Sequence, residues 1–345
     1  MAMEILETIK KFDSKRMFEV YDTWPKLANT SFSKKYEDIN DFNVNHLVFA
    51  GMGGSGNLGD VFSSILSKEN IRVSVVKGYH LPKNLDKNSL VIITSISGNT
   101  EEMLSILKNV KKEGVQSISF SSGGKIQEYC TKNNMTYRKI PMINSPRASF
   151  TSYFYAMIKI LNPIIQFNQS EIEESINELQ KTKEKICSSN LDQENYSLNL
   201  AQWMNGIPIL YYPWGLESSA IRFKNSLQEN AKQHTIIENI IEACHNGIVS
   251  WMSSSKIQPI LIRGLDDPTK TKERWEIIKE FFEQKNIKYK EIFSPEGSIL
   301  TKIVNLIYVF DYCSIYKAIL LEIDPSPIQP IDFIKSRLTG IDPNN

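Results

Sequence analysis

The sequence predicts an α/β protein with two doubly wound parallel sheets and flanking helices. Three features predict it: strand-like and helix-like runs alternate through the first part of the chain, a long helical stretch follows, and the alternation then starts again. Alternation with short connections is typical of βαβ units, whose strands lie parallel in one sheet. Such strands are buried on both faces and read as nearly continuous apolar runs, as Val91-Ile92-Ile93 does.

The first half opens with a helical pattern over residues 3–30, with apolar positions at Ile5, Ile9 and Phe12. We expect these helices to pack against the first domain. The alternation that follows predicts strands at 46–50, 71–76, 89–94, 115–120 and 135–140, and helices at 57–67, 100–112 and 124–133.

Residues 149–189 are predicted to be helical, and the alternation then restarts. The second half has predicted strands at 207–212, 257–262 and 288–293, and predicted helices at 216–232, 268–285, 297–321 and 329–338. We therefore expect three parts. They are an N-terminal α/β domain with leading helices (1–150), a helical linker (151–190), and a C-terminal α/β domain with a closing helix (191–345).

Charge and hydropathy exclude several classes of function. The chain has 40 basic and 39 acidic residues and a net charge of +1, which gives no electrostatic footprint for nucleic acid or an anionic membrane. The best candidate for a membrane span, Ile299 to Phe310, is interrupted by Lys302 and Asn305, so no span is expected. The first residues lack the basic and apolar segments of a secretion signal.

The spacing of the cysteines and histidines predicts neither disulfide bonds nor a metal site. The four cysteines are scattered without paired spacing, and the four histidines show no metal-ligand spacing. We expect reduced thiols, no bound metal and a cytoplasmic protein.

A glycine-rich loop, Gly51-Met52-Gly53-Gly54-Ser55-Gly56, follows the first predicted strand and precedes a helix. It has no bulky side chain where backbone N–H groups would face an anion at a helix N-terminus, so Gly53, Gly54 and Ser55 are candidate phosphate ligands. The Gly-x-Gly-x-x-Gly spacing also fits a dinucleotide site, and a tight turn without any ligand is a further reading. Against the dinucleotide, the segment Val75 to Tyr79 has no carboxylate for a ribose hydroxyl.

A second loop, Ser95-Ile96-Ser97-Gly98-Asn99-Thr100, joins the third predicted strand to its helix. Hydroxyl groups together with backbone amides suit a phosphate monoester, which makes Ser95, Ser97 and Thr100 candidate ligands. Thr100 could also simply cap the helix, with Glu101 in its first turn, but capping does not explain Ser95 and Ser97. Two such loops at neighbouring strand ends suggest one phosphate held from two sides.

These two loops resemble the sugar isomerase (SIS) domain. More specifically, the chain resembles the archaeal and bacterial bifunctional phosphoglucose/phosphomannose isomerases, and the resemblance covers most of its length. The motifs of the second half that carry it are Ala220-x-Arg222-x-Lys224, Gln228-Glu229-Asn230-Ala231-Lys232, His245-Asn246, and Asp324-Pro325-Ser326-Pro327 followed by Lys335.

The chain also departs from the family pattern at four positions. Ile96 stands where tyrosine is usual, and Cys244 and Gly247 stand where the family tends to have asparagine and glutamate. Ser326 replaces a threonine and keeps its hydroxyl. These changes bear on substrate preference more than on the chemistry.

The resemblance implies two SIS-type sheets and a cofactor-free aldose–ketose isomerase acting on hexose 6-phosphates through an enediol. Glu229 would be the base that moves a proton between C1 and C2, and Arg147 would stabilise the enediolate. His245 would open the sugar ring, reaching the site from the other subunit of a homodimer. Lys335 would contact the substrate or this histidine, and Ser326 would orient the histidine.

Each of these five residues also has a purely structural reading. Glu229 falls on a polar helix stripe with Arg222 and with Asn225 or Ser226, which could be a solvated face. His245 could be an ordinary surface histidine, and Arg147 a surface arginine in a linker. Lys335 could sit on the surface of the last helix, and Ser326 could only shape a turn between two prolines.

Three other functions remain open from the sequence. A non-catalytic sugar-phosphate-binding protein would keep both loops without using the base. Another SIS enzyme, such as an amino-sugar or pentose phosphate isomerase, is a second alternative, and a dehydrogenase is the third. The zinc ligand cluster of the unrelated cupin-type phosphomannose isomerases is missing from the sequence.

Overall fold

The computed structural model describes residues 2–39, 44–253 and 256–338. Within these ranges the strands are β1 (His46–Ala50), β2 (Arg72–Val76), β3 (Ser89–Ser95), β4 (Gln116–Ser121), β5 (Tyr137–Lys139), β6 (Ile207–Tyr212), β7 (Ile236–Asn239), β8 (Ile257–Arg263) and β9 (Lys290–Phe293). The helices are α1 (Ala2–Phe12), α2 (Met17–Asp22), α3 (Trp24–Ser33), α4 (Gly53–Ile65), α5 (Glu101–Glu113), α6 (Gly124–Lys132), α7 (Phe150–Ile165), α8 (Gln169–Ile186), α9 (Tyr196–Trp203), α10 (Glu217–Asn230), α11 (Ile240–Ala243), α12 (Thr269–Gln284), α13 (Ile299–Leu320) and α14 (Gln329–Leu338). Two short 3-10 helices lie at Leu66–Lys68 and Gly247–Met252.

The chain divides into two compact units, each built around one parallel sheet, which confirms the predicted fold class. The five-stranded unit comprises Lys26–Phe167 and the chain from Ser326, and the four-stranded unit comprises the chain up to Pro25 and Asn168–Pro325. These bounds differ from the predicted domains, because each unit draws on two separate stretches of chain. The predicted linker is also divided, since α7 belongs to one unit and α8 to the other. The last seven residues of the predicted C-terminal domain lie outside the described residues.

The sheet of the five-stranded unit has the order β2-β1-β3-β4-β5, and every neighbouring pair is parallel. Strands β1 and β3 are buried along their whole length, as their apolar sequences predicted. Ala50 pairs with Ile93, and Ser95 pairs with Ser121, so β1, β3 and β4 end at the same edge. The loops that follow these three strands therefore share the carboxyl edge of the sheet.

Aromatic and aliphatic side chains cover the two faces of this sheet. On one face Phe49 of β1 stacks on Phe62 of α4 at 4.8 Å between ring centroids. A Cβ at Gly59 would lie 2.9 Å from the Phe49 Cβ, so this glycine lets α4 approach the strand closely. On the other face α5 and α6 bury Met103 and Ile126 against the sheet. Each such side chain contributes about 1.5–3 kcal/mol by leaving water, which fixes the helices from which the loops project.

The sheet of the four-stranded unit has the order β7-β6-β8-β9, again all parallel. Strand β7 was not predicted. It is a four-residue edge strand, and Glu238 and Asn239 leave only two apolar residues for a pattern to detect. Helix α9 was likewise missed because its eight residues are too few for a clear helical period, whereas α2 lies inside the helical stretch predicted for residues 3–30.

Helix α13 forms the core of the four-stranded unit, packing against α8, α9 and α10. The leading helices also pack here: α1 and α2 contact α13, and the Tyr308 hydroxyl donates to the Tyr21 carbonyl at 2.8 Å. The expectation that the leading helices pack against the first domain is therefore wrong for α1 and α2, whereas most of α3, from Lys26 onward, belongs to the five-stranded unit. The amphipathic pattern of such helices shows that one face is buried, but not which sheet buries it.

The apolar run of α13 extends beyond the predicted interruption at Lys302. By length and composition alone the helix could cross a membrane, but 94% of its most apolar window is buried inside the protein. Lys302 is accommodated by an ion pair with Asp266, and the Lys317 ammonium donates to the Met204 carbonyl. The burial and these contacts are those of a core helix.

Candidate active site

The glycine-rich loop after β1 makes a tight passage from strand to helix. A Cβ at Gly51 would lie 2.7 Å from the Ser55 backbone, and a Cβ at Gly56 would lie 2.7 Å from the Gly51 carbonyl oxygen. Both positions therefore require glycine. Helix α4 begins at Gly53, which has φ +53° and is exposed, and no side chain caps this helix. Its first N–H groups remain suitable for an anion.

The loop after β3, residues 96–100, gives the predicted hydroxyls different environments. Ser95 is buried, and its Oγ lies 2.8 Å from the Thr100 Oγ1. Ser97 is half-buried and accepts a hydrogen bond from the Asn99 N–H at 3.4 Å. Thr100 occupies the N-cap position of α5 but makes no side-chain cap, so simple capping does not account for its hydroxyl.

A hydrogen bond joins these two loops. The Ile96 N–H donates to the Ser55 Oγ at 3.2 Å across the carboxyl edge of the sheet. The structure thus brings together the hydroxyls of Ser55, Ser95, Ser97 and Thr100 between the N-termini of α4 and α5. Two helix N-termini and several hydroxyl donors form an arrangement that suits a phosphate group.

Arg147 and Ser326 also meet within the five-stranded unit. Arg147 is buried just before α7, and its Nη2 donates to the Ser326 backbone carbonyl at 3.0 Å. The predicted arginine is thus held by the turn that leads into α14, through the backbone of that turn. Lys335 lies on α14 and is exposed.

Glu229 lies in the last turn of α10 and is half-buried. The next turn of chain folds back on it: the Lys232 ammonium donates to the Glu229 carbonyl at 2.6 Å and to the Pro325 carbonyl at 3.3 Å. The predicted polar stripe does not form one solvated face, because Arg222 and Ser226 are buried. Asn225 and Glu229 retain partial exposure.

His245 is exposed in the turn after α11. Its N–H donates to the Glu242 carbonyl at 2.8 Å, and the neighbouring Asn246 Nδ2 donates to the Glu242 Oε1 at 2.8 Å. A Cβ at Gly247 would lie 2.3 Å from a carboxylate oxygen of Glu238. The departure from the family at Gly247 therefore has a local reason, since the Glu238 carboxylate fills that space. Burial, and then the charge of Glu242, raise the pKa of Glu238.

Glu229 lies near the amino end of the parallel strands of the four-stranded sheet, whereas His245 lies at their carboxyl end. Helix α10 returns from the carboxyl end of β6 to its amino end, where the Gln233 Nε2 donates to the Gly206 carbonyl at 2.7 Å. Strand β7 then runs parallel to β6 toward the carboxyl edge, and His245 follows it. The four residues of β7 alone rise about 13 Å. The two residues of one chain are thus kept well apart.

The sequence analysis missed a third loop at the carboxyl edge of the five-stranded sheet. After β4, the chain runs Ser121-Ser122-Gly123-Gly124 into α6, and Gly124 has φ +69°. The Ser122 Oγ donates to the Ile96 carbonyl at 2.7 Å. A strand followed by small residues and a helix is the same signal that identified the first two loops, so the sequence did contain it.

The environment of β2 argues against a dinucleotide. The residue after this strand is Lys77, and its ammonium forms an ion pair with Asp60 of α4 at 2.7 Å. A dinucleotide site has a carboxylate at the end of the second strand, where it binds a ribose hydroxyl, but this protein has the cation Lys77 there. The glycine spacing by itself does not make a nicotinamide site.

A separate cavity of about 340 Å³ lies in the four-stranded unit between α8, α13 and the end of β9. Its lining includes Thr182, Tyr196 and Asn305, and the Thr182 Oγ1 donates to the Asn305 Oδ1 at 2.8 Å. It includes none of the residues predicted for catalysis or phosphate binding.

Comparison with known proteins covers both units. The family described as "SIS domain" matches residues 42–159, and the family described as "Bacterial phospho-glucose isomerase C-terminal SIS domain" matches residues 193–338. A hypothetical protein from Thermus thermophilus shares the fold, with a TM-score of 0.73 over 97% of this chain and 95% of that chain at 13% identity.

Two curated relatives extend over nearly the whole chain. A D-glucosamine-6-phosphate 4-epimerase from Sulfolobus acidocaldarius is 25% identical, covering 93% of this chain and 97% of its own length. A bifunctional phosphoglucose/phosphomannose isomerase from Caldicellulosiruptor bescii is 32% identical over 325 residues, which is 91% of this chain and 94% of that protein. With both domain families matched in order, the chain belongs to the bifunctional phosphoglucose/phosphomannose isomerase family.

Proposed function

We propose that this protein interconverts glucose 6-phosphate and mannose 6-phosphate with fructose 6-phosphate, without a cofactor. The observation that carries the proposal is the pair of hydroxyl-bearing loops joined by the Ile96–Ser55 hydrogen bond, each at the start of an uncapped helix. Such a pair can bind a phosphate monoester without a fixed positive charge. The named activity of the Caldicellulosiruptor bescii relative supports the choice of sugar phosphate.

In this mechanism the loops hold the phosphate and leave C1 and C2 free to react. Glu229 takes the proton from C2 of the aldose, the electron pair of that C–H bond forms the C1–C2 double bond, and the carbonyl oxygen O1 takes up a proton to give the enediol. The same carboxyl group then returns its proton to C1 while the O2 hydroxyl loses its proton and becomes the ketone, so that one proton passes from O2 to O1 overall. Arg147, with its fixed positive charge, stabilises the negative oxygen that develops between these steps.

His245 has a different task, which is to move a proton between the ring oxygen and O1 so that the sugar ring opens. Because Glu229 and His245 of one chain lie at opposite ends of the strands of their sheet, we propose that a second copy supplies the histidine. Val249 and Met252, in the segment after His245, are 60% and 80% exposed. Exposed apolar side chains beside the histidine are compatible with a contact between two copies in a homodimer.

The test is turnover of each hexose 6-phosphate by the wild type beside Glu229→Gln, which keeps the size of the side chain and removes its basicity. We expect kcat to fall at least about 100-fold, in line with the contribution of a positioned base, while KM changes little. The matched control is Glu217→Gln at the other end of α10, whose carboxylate accepts a hydrogen bond from the Tyr212 hydroxyl at 3.2 Å. A Glu229→Gln variant with full activity would contradict the assignment of the base.

Two alternatives give different results in the same assays. A non-catalytic sugar-phosphate-binding protein would bind hexose 6-phosphates tightly and turn none of them over. An amino-sugar activity is the second alternative, favoured by the 4-epimerase that matches 93% of this chain. Incubation with glucosamine 6-phosphate, followed by analysis of the sugar products, distinguishes it from the proposed isomerase.

A further inference from the structure

The loop after β4, Ser121–Gly124, supports the phosphate-binding loop after β3 from behind. Ser122 donates twice to the Ile96 carbonyl, from its hydroxyl at 2.7 Å and from its N–H at 3.1 Å. On the preceding peptide, the Ile96 N–H donates to the Ser55 Oγ at 3.2 Å. Ile96 is therefore held on both sides, by one serine from each neighbouring loop.

The first turn of α6 is also used for this support. The Lys125 N–H donates to the Asn99 Oδ1 at 3.2 Å, and the Ile126 N–H donates to the Gly98 carbonyl at 3.0 Å. These donors are normally left without a partner at a helix N-terminus. Here the loop after β3 accepts them, so α6 stabilises that loop.

The loops after β3 and β4 approach each other closely at Gly98. Gly98 has φ +73°, and a Cβ at this position would lie 1.8 Å from the Gly123 carbonyl oxygen. Gly98 therefore permits both the left-handed backbone and the direct contact with Gly123. The loop after β3 has little freedom to move relative to the loop after β4.

The two hydrogen bonds from Ser122 determine where the next peptide group points. In a trans peptide the carbonyl oxygen and the N–H point in opposite directions, so fixing the Ile96 carbonyl toward Ser122 directs the Ser97 N–H away from the loop after β4. No acceptor for the Ser97 N–H is found among residues 2–39, 44–253 and 256–338. This donor is available to an anion beside α5.

We propose that Ser122 is a positioning residue for phosphate binding: it orients the Ile96–Ser97 peptide so that the Ser97 N–H donates to the substrate phosphate. This inference rests on the proposed function of the two loops. It adds a residue that is not itself expected to contact the substrate, and it gives the loop after β4 a part in substrate affinity.

The test compares Ser122→Ala, Ser122→Thr and Ser117→Ala. Ser117 lies on β4, the strand that leads to Ser122, and no hydrogen bond of its hydroxyl is found within the described part of the chain. We expect Ser122→Ala to raise KM for the hexose 6-phosphate, and Kd for inorganic phosphate by calorimetry, roughly three- to tenfold, the effect of one neutral hydrogen bond. We expect kcat to stay within about twofold, because the reacting carbons are not touched. Ser122→Thr should restore affinity because it restores the hydroxyl.

A second pair of variants tests the same support through the backbone. Gly98→Ala should weaken phosphate binding more than Ser122→Ala does, because the added methyl group collides with the Gly123 carbonyl. Gly114→Ala is the matched control: its φ is +68°, close to that of Gly98, but a Cβ there meets nothing within 4 Å. Both variants carry the strain of a left-handed alanine, so the difference between them isolates the collision.

The outcomes separate this inference from the proposed function. If Ser122→Ala binds phosphate as tightly as Ser117→Ala, Ser122 does not position the loop. If the wild type turns over no hexose 6-phosphate but phosphate binding still weakens in Ser122→Ala, the isomerase proposal fails and the positioning role stands. A loss of kcat at unchanged KM in Ser122→Ala would overturn the positioning role.

Discussion

Arg222 of α10 and Asp311 of α13 form an ion pair that is almost completely shielded from solvent. The Arg222 Nε donates to Oδ1 at 3.0 Å and its Nη2 donates to Oδ2 at 2.5 Å, while the Ser226 hydroxyl adds a third bond to the carboxylate. Burial by itself would lower the pKa of Arg222, but the charge and hydrogen bonds of Asp311 outweigh burial and raise it. This pair ties the helix that carries Glu229 to the core helix of its unit.

Removing one partner of this pair should be costly. We expect Asp311→Ala to destabilise the four-stranded unit by about 3–5 kcal/mol, because it leaves a buried guanidinium without a counter-charge. The double variant Arg222→Met, Asp311→Leu should recover most of this loss, since apolar groups of similar size replace the charges. Urea unfolding followed by circular dichroism measures both effects. A loss below about 1 kcal/mol for Asp311→Ala would show that the pair is not important for stability.

The separation of Glu229 from His245 predicts complementation between two inactive variants. In a homodimer whose sites combine Glu229 of one copy with His245 of the other, Glu229→Gln and His245→Ala should each have low activity. A hybrid of one copy of each has one site with both wild-type residues. A refolded equimolar mixture should therefore regain up to about one quarter of wild-type activity, because half of the dimers are hybrids with one intact site.

The control for this experiment is the same mixture without refolding, or a mixture in which one parent is the double variant. Without refolding, no hybrid dimers form as long as subunits do not exchange. With the double variant as one parent, hybrid dimers form, but none of them has an intact site. If both residues of one site came from the same chain, no hybrid would be active. Absence of recovery, with hybrid dimers demonstrated by two affinity tags, would thus contradict the shared site.

His46, at the start of β1, predicts a pH dependence of stability. It is buried, and the Arg72 Nη2 donates to its Nδ1 at 2.7 Å, so the proton lies on Nε2, which donates to the Ser74 Oγ at 2.9 Å. Burial, and then the positive charge of Arg72, lower the pKa of His46, and Asp86 only partly opposes them. The unfolded chain therefore binds a proton at higher pH than the folded protein does.

The stability contributed by neutral His46 is therefore present above the unfolded pKa of about 6.5 and is lost as the pH falls through the lower folded pKa. We expect the free energy of unfolding to decrease between about pH 7.5 and pH 5, by at most about 1.4 kcal/mol per pH unit for this one proton. His46→Asn should reduce the slope, and His80→Asn, at an exposed histidine, should leave it unchanged. Equal slopes for His46→Asn and the wild type would exclude His46 as the source.

Much of the local structure follows from short stretches of the sequence. Strands β1 and β6 and helix α14 have the bounds that the alternation of apolar runs predicted, because hydrophobic periodicity and helix-breaking residues act within a few positions. The strand-to-helix loops after β1 and β3 were also predicted, because glycine and hydroxyl residues between a strand and a helix are a recognisable local pattern. Strand β7 was missed because four residues at a sheet edge carry almost no pattern.

Which residues meet was decided by the tertiary structure. Arg222 and Asp311 lie 89 positions apart, and the Ile96–Ser55 bond spans 41, so no local pattern pairs them. The sequence determined the fold class, the family and the loops that suit a phosphate, because these depend on local patterns and ordered motifs. Only the packed chain turned Arg222 inward, placed Ser122 behind Ile96 and set Glu229 and His245 at opposite ends of the strands of one sheet. The physical reason is that strand order and helix packing bring together groups that are distant in sequence, and burial then decides which polar groups must pair.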